Sequence, residues 1–214
     1  MKNTKLVIFD MDGLLIDSER GMWLVSEEYA YNKLGFKFDY DFALTLMGAS
    51  LDITKKRIQE KYGKGLDVEE FYRIIHKNNL KIIQNNEIRL MKGARELLTH
   101  LKSKNIKMRI ATSTYKELAE VILKNLGIYD FFEEIVTGDR VKHGKPSPDI
   151  YLLALGNDKK EETIIFEDAH NGARAAIAAG IDLILVPDLA PLTDEDKREA
   201  YKVIKDLSEA IDII

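Results

Sequence analysis

Apolar positions along the 214-residue chain follow two different rhythms. Leu6 to Phe9 is a short continuous apolar run, the pattern of a strand covered on both faces of a parallel sheet. Comparable runs return at Lys107–Ala111, Glu134–Val136, Thr163–Phe166 and Ile181–Val186, the last stopped by Pro187. Helical spacing fills the intervals at Ala94–Lys104, Lys116–Leu126, Asp149–Leu155 and Asn171–Ala179, and Gly127, Gly156 and Gly180 close the last three. Strands separated by helices in this way predict a doubly wound, mostly parallel α/β sheet. The tail from Lys202 to Ile214 carries one more short apolar element and is expected to end as a helix.

Between the first strand and Leu90 the rhythm is helical throughout. Met22, Trp23, Val25, Tyr29, Ala30 and Leu34 mark a helix with Asp17 or Ser18 as its cap and Gly35 at its end. Asp41–Leu46, Asp52–Tyr62 (capped by Ser50 or Asp52) and Val68 to Ile83 follow, with Gly48 and Gly63–Gly65 as breaks. A crossover between parallel strands needs only about a dozen residues, so this block is too long to be one. It predicts an inserted all-helical domain over 16–90, with 1–15 and 91–214 forming the α/β core. The joints fall near Ile16–Asp17 and Lys92–Gly93.

Composition narrows the class without changing that picture. A hydrophobic fraction of 45% and a charged fraction of 32% are those of a globular protein with one good-sized core. The net charge of -4 argues against a nucleic-acid partner, and no window reaches the apolar length of a membrane span. With no cysteine there is no disulfide, thiolate nucleophile or cysteine metal site, and a cytoplasmic protein is expected. Four scattered histidines make a histidine-rich zinc site a poor fit.

Ligands of open α/β sheets bind outside the carboxyl ends of the strands, and each such end here carries reactive groups. The first strand stops at Asp10 and Asp12, with Gly13 directly behind. Read alone, that is either a turn with solvated carboxylates or a pair of like charges held together by a cation. Thr112 and Ser113 close the second run, Glu167 and Asp168 the fourth, and Lys145 lies between them in a stiff Gly-Lys-Pro-Ser-Pro segment. Each has an ordinary reading as helix cap, loop lysine or turn. Together at one sheet edge they suit phosphate chemistry, with carboxylates for Mg²⁺ and hydroxyl and ammonium groups for phosphoryl oxygens.

These motifs resemble, in order and context, those of the haloacid dehalogenase superfamily, in the branch with a helical cap after the first strand that includes phosphoglycolate phosphatases and beta-phosphoglucomutases. The matching residues are Asp10-Met11-Asp12-Gly13, Thr112, Lys145 and the pair Glu167-Asp168. The resemblance covers nearly the whole chain and implies a Rossmann-like core and a Mg²⁺-dependent phosphatase. It implies that Asp10 attacks phosphorus to form an aspartyl-phosphate, while Asp12 acts as acid and then base. It assigns Mg²⁺ to Asp10, the Asp12 backbone carbonyl and Asp168, with Glu167 close by. Thr112 and Lys145 are the implied phosphoryl grips, with Ser113 adding backbone contacts.

Within the family, Asp12 argues against a dehalogenase, which lacks that second acid. The sugar-phosphate mutases share all four motifs, but carry a cap histidine and a cap arginine where this chain has Met22 and Leu51. Hydrolysis is therefore the expected reaction, with mutase chemistry as the alternative and a non-catalytic phosphate-binding interaction module as the rival from another class. The expected partner is a small phosphorylated metabolite, chosen by the cap, and the expected state a monomer or weak homodimer. Trp23 and Tyr29 read as cap core, and His143 and His170 as loop and rim residues.

Overall fold

The structure is a computed structural model and describes residues 3–85 and 87–214. Six strands, β1 (Leu6–Phe9), β2 (Lys107–Thr112), β3 (Glu134–Thr137), β4 (Thr163–Glu167), β5 (Asp182–Leu185) and β6 (Lys202–Val203), form one sheet in the order β3-β2-β1-β4-β5-β6. Every pairing is parallel. Phe9 lies level with Ile110 on one side and Phe166 on the other, so Asp10, Thr112 and Glu167 leave the sheet at one edge.

The pleat sends alternate residues to opposite faces, and both faces are covered. Val7 and Phe9 join the cluster containing Leu97 and Leu101 of α5 (Ala94–Ser103) and Ile122 of α6 (Lys116–Asn125). Leu6 and Ile8 join Ile150 of α7 (Asp149–Leu155) and Ala173 and Ala176 of α8 (His170–Ala179).

Two features of the tail depart from the sequence reading. Lys202–Val203 pairs with β5 as a sixth, two-residue strand, and Leu207–Asp212 is a 3₁₀ turn rather than an α-helix. A further short helix, α9 (Asp194–Glu199), starts with a reciprocal Thr193–Asp196 capping box. Being charged throughout, it offered no apolar period to read.

Four helices lie between β1 and the rest of the sheet. They are α1 (Leu24–Lys33), entered through a π turn at Glu19–Trp23, α2 (Tyr40–Leu46), α3 (Leu51–Tyr62) and α4 (Val68–Gln84). They share a cluster of Ala30, Tyr31, Leu46, Ile58, Leu66, Phe71, Ile74 and Ile75, in which the Tyr31 ring lies 4.4 Å from Phe71 and 4.7 Å from Tyr62. Asp39 and Asp67 cap α2 and α4 by accepting from Phe42 N and Glu70 N. The expected caps behave differently: Ser50 precedes α3 without a side-chain bond, and the Ser18 hydroxyl turns away to Asp12.

Two chain segments join this helical block to the sheet, tied together by Asp17 N donating to Arg89 O and Met91 N to Leu15 O, both at 2.9 Å. A second contact closes over the strand ends. Leu24, Ala43 and Met47 cluster with Ala169 and Ala190, and Asn171 Nδ2 donates to Met47 O at 3.3 Å. Glycines permit the approach: a Cβ on Gly48 would lie 2.7 Å from the Ala169 methyl, and one on Gly144 would overlap the Ser50 side chain.

Candidate active site

β1 leads directly into Asp10, a residue that is 6% exposed. Lys145 reaches it from the loop before α7, with Nζ 2.5 Å from Asp10 Oδ1 and 2.7 Å from Glu167 Oε1. Lys145 is 1% exposed, and its ammonium also lies 4.9 Å from the Tyr151 ring centroid. Burial by itself would strip this lysine of its proton, but Asp10 and Glu167 outweigh burial and hold it well above its usual range.

Glu167 is saturated. Oε1 accepts from Lys145 and from Tyr151 OH at 3.0 Å, while Oε2 accepts from the backbone N–H groups of Asp168 at 2.8 Å and Ala169 at 2.9 Å. Gly172 in the first turn of α8 makes room for this carboxylate, since a Cβ there would overlap it. Asp168 is the opposite case. It is buried, and its Oδ1 has no hydrogen-bond partner among the described residues. Gly13, with φ +81°, brings the turn after β1 against Asp168 so closely that a Cβ would overlap Oδ2.

Asp10, Glu167 and Asp168 offer ligand atoms within 4.8 Å of one another. Burial pushes the Asp168 carboxyl well above its usual range, and Glu167, Asp10 and Glu19 push it further. Asp10 is raised by burial too, with Lys145 opposing and Glu167 and Asp12 adding to the rise. One ammonium therefore faces several carboxylates, and the cluster is short of positive charge. An acidic, all-oxygen, partly unsatisfied donor set of this kind fits a hard divalent cation.

Asp12 projects away from that cluster and accepts from both parts of the structure. Ser18 Oγ at 2.6 Å and Trp23 Nε1 at 3.3 Å donate to Oδ1, while Thr112 Oγ1 at 3.1 Å and Thr114 Oγ1 at 2.8 Å donate to Oδ2. The Thr112 hydroxyl also accepts from Thr114 N at 3.1 Å. Ser113, between them, is partly buried, and its backbone passes close to Gly138.

Every sequence-read site residue thus gathers at one sheet edge. Four contributors were not read as such. The sequence reads Ser18 as a cap and Trp23 as core, and Tyr151 on α7 looks like any other buried aromatic. Glu19 has no part in the sequence reading, yet it is buried near Gly13, and burial and then Asp12 and Glu27 hold its carboxyl well above its usual range. The second acid directly before an apolar helix was the available signal for Glu19. For the others the signal is tertiary. His143 and His170 face Asp149 and Asp196 at 3.0 and 2.7 Å, outside the cluster.

The chain belongs to the haloacid dehalogenase-like hydrolase family, whose sequence profile matches residues 7–186. It is 31% identical over 210 residues to a probable pseudouridine-5'-phosphatase of Drosophila melanogaster, covering 94% of this chain and 89% of that one. It is 34% identical over 184 residues to a phosphorylated carbohydrates phosphatase of Thermotoga maritima, covering 83% and 82%. Among solved structures, a putative beta-phosphoglucomutase from Thermotoga maritima superposes with a TM-score of 0.75 at 30% identity, covering 98% of each chain. The chain is accordingly an enzyme, a phosphoric monoester hydrolase of this family. Among the described residues no helix is long and apolar enough to cross a membrane.

Proposed function

We propose that the enzyme is a Mg²⁺-dependent phosphatase that hydrolyses a small sugar phosphate through a phosphoaspartyl intermediate on Asp10. The observation that carries this reading is the buried contact of Lys145 with Asp10, beside an Asp168 whose Oδ1 has no hydrogen-bond partner among the described residues. Relatives that are phosphatases, one of them acting on phosphorylated carbohydrates, support the same substrate class.

Asp10 and Asp168 are the direct metal ligands in this reading, joined by the backbone carbonyl of Asp12 as the family resemblance implies. Glu167 stands behind them, already holding four protein donors. Bound there, Mg²⁺ supplies positive charge to the phosphoryl oxygens and to the nucleophile. Lys145 screens Asp10 from an incoming dianion and, with Thr112 and Ser113 at the end of β2, receives the phosphoryl oxygens.

Asp10 attacks phosphorus, the bond to the leaving oxygen breaks, and Asp12 gives that oxygen its proton. Asp12 then takes a proton from the water that cleaves the phosphoaspartate, which returns Asp10 and releases phosphate. The donors around Asp12 fix its direction for both proton transfers. The insertion 16–90 acts as the substrate-selecting cap over the core formed by 1–15 and 91–214. Mutase chemistry is the weaker reading, because the place of the family's cap histidine holds Met22, fully buried and unable to move a proton.

The test is phosphate release from a panel of phosphomonoesters, with Mg²⁺ and with EDTA, in the parent and in Asp10→Asn. Release that needs both Mg²⁺ and Asp10 is expected. A folded protein that binds Mg²⁺ and releases phosphate from no ester overturns the reading.

A further inference from the structure

A cavity of about 400 Å³ opens where the helical insertion joins the core, and none of the strand-end carboxylates lines it. Ile83 near the end of α4 and Ile88 and Leu90 of the returning segment line it from the insertion side. Ile122 and Leu126, a helical turn apart at the end of α6, line it from the core side. The three isoleucines are buried and the two leucines half-buried. Asn125 Nδ2 donates to Ile83 O at 3.4 Å and ties the two sides together.

The charged part of the lining is basic. Arg89 contributes from the returning segment and Arg95 from the first turn of α5. Arg95 is anchored by donating to Leu126 O at 2.6 Å and to Gly127 O at 3.3 Å. Both acceptors are neutral, and Arg95 has no ion pair among the described residues. A guanidinium carries more N–H donors than these two bonds use, so Arg95 presents unspent positive charge at a fixed place beside the apolar lining.

Small-molecule sites are concave, about 300–1,000 Å³ in volume, mostly apolar with a few placed polar groups, and favour domain joints. This cavity has each of those properties. A purely apolar guest would strip water from the guanidinium and give it nothing in exchange. A compact anion such as phosphate would leave the isoleucine and leucine side chains wet. An apolar body that carries one anionic group satisfies both parts.

We propose that this cavity is a binding site for a small amphipathic anion, a short hydrocarbon chain or ring whose one anionic group rests on Arg95. The bound molecule touches insertion and core at once. This goes beyond the phosphatase reading and does not depend on it.

Calorimetric titration of the full chain with octanoate, 1-octanol and acetate tests the site in the parent, Arg95→Met and Asn125→Phe, with melting temperatures measured alongside. The parent is expected to bind a single octanoate and to melt higher in its presence. Octanol and acetate should each bind at least about tenfold more weakly, for want of the charge or of the apolar body. Arg95→Met should weaken octanoate about tenfold and leave octanol within about twofold, a split that a loosened fold would not produce. Asn125→Phe, which places a ring at the cavity wall, should weaken both. Saturating phosphate with Mg²⁺, which occupies the strand ends in the phosphatase reading, should leave octanoate binding unchanged. Octanoate that fails to bind, that binds Arg95→Met as tightly as the parent, or that phosphate displaces overturns the site while leaving the phosphatase reading in place.

Discussion

Lys145 and Glu167 are joined at 2.7 Å with each side chain 1% exposed, which makes Lys145 one end of a fully buried ion pair. Glu167 holds that lysine, Tyr151 and the backbone that presents Asp168. Removing one partner of such a pair costs about 3–5 kcal/mol, because the remaining charge is left unpaired. Glu167→Ala is expected to lose about that much stability in urea unfolding. Its phosphatase activity should also fall sharply, since Lys145 and Asp168 lose their support. Unchanged stability would show that Glu167 does not hold the lysine.

Gly172 tests the same arrangement from the other side. A methyl group there overlaps the Glu167 carboxylate, and overpacking of this kind typically costs about 1–3 kcal/mol. Gly172→Ala is expected to lower the melting temperature and kcat together, whereas alanine at the exposed Gly35, which has open space around it, should leave kcat alone.

Asp168 gives a prediction about metal removal. Its carboxyl is raised by burial and by neighbouring acids, so the folded state carries unfavourable charge that a divalent cation relieves. Mg²⁺ should raise the melting temperature of the parent, and EDTA should abolish both that rise and the activity. Asp168→Asn should lose the rise while melting no lower than the metal-free parent. A variant still stabilised by Mg²⁺ would place the metal elsewhere.

Glu27 sets a pH dependence. Burial pushes its carboxyl from 4.5 up to about 8 in the folded protein. The folded state then keeps a proton that the unfolded chain releases, so this stabilisation is complete below about 4.5 and is lost as the pH rises through about 8. Urea midpoints of the parent should fall between pH 5 and pH 8 by more than those of Glu27→Met. Parallel midpoints for the two proteins would contradict the raised value.

The sheet was legible because its inner strands are covered on both faces and therefore apolar without interruption, as in Leu6–Phe9 and Ile164–Phe166. The candidate residues Asp10, Thr112, Ser113, Glu167 and Asp168 followed from that, each standing one or two places beyond the end of such a run, whereas Asp12 lies three places beyond and Lys145 stands in a separate loop. β6 escaped because Lys202 and Val203 are both exposed and carry no apolar signature. Trp23 shows the other limit. Its spacing correctly marks it as core, and its ring does pack there, yet the indole N–H reaches Asp12. Periodicity reports which face a residue takes, not which atom of it is polar. Ser18 was misread for a related reason, since a hydroxyl near a helix start has a local partner in prospect, and only the folded turn offers the better one.

The meeting of Gly48 with Ala169 and of Gly144 with Ser50 leaves no space for an added methyl on either glycine. A single carbon atom at position 144 would therefore work as a doorstop, propping the helical insertion away from the sheet edge while touching none of the carboxylates. The approach of the helical insertion to the sheet edge depends on the absence of two side chains, so that contact can be changed one methyl at a time.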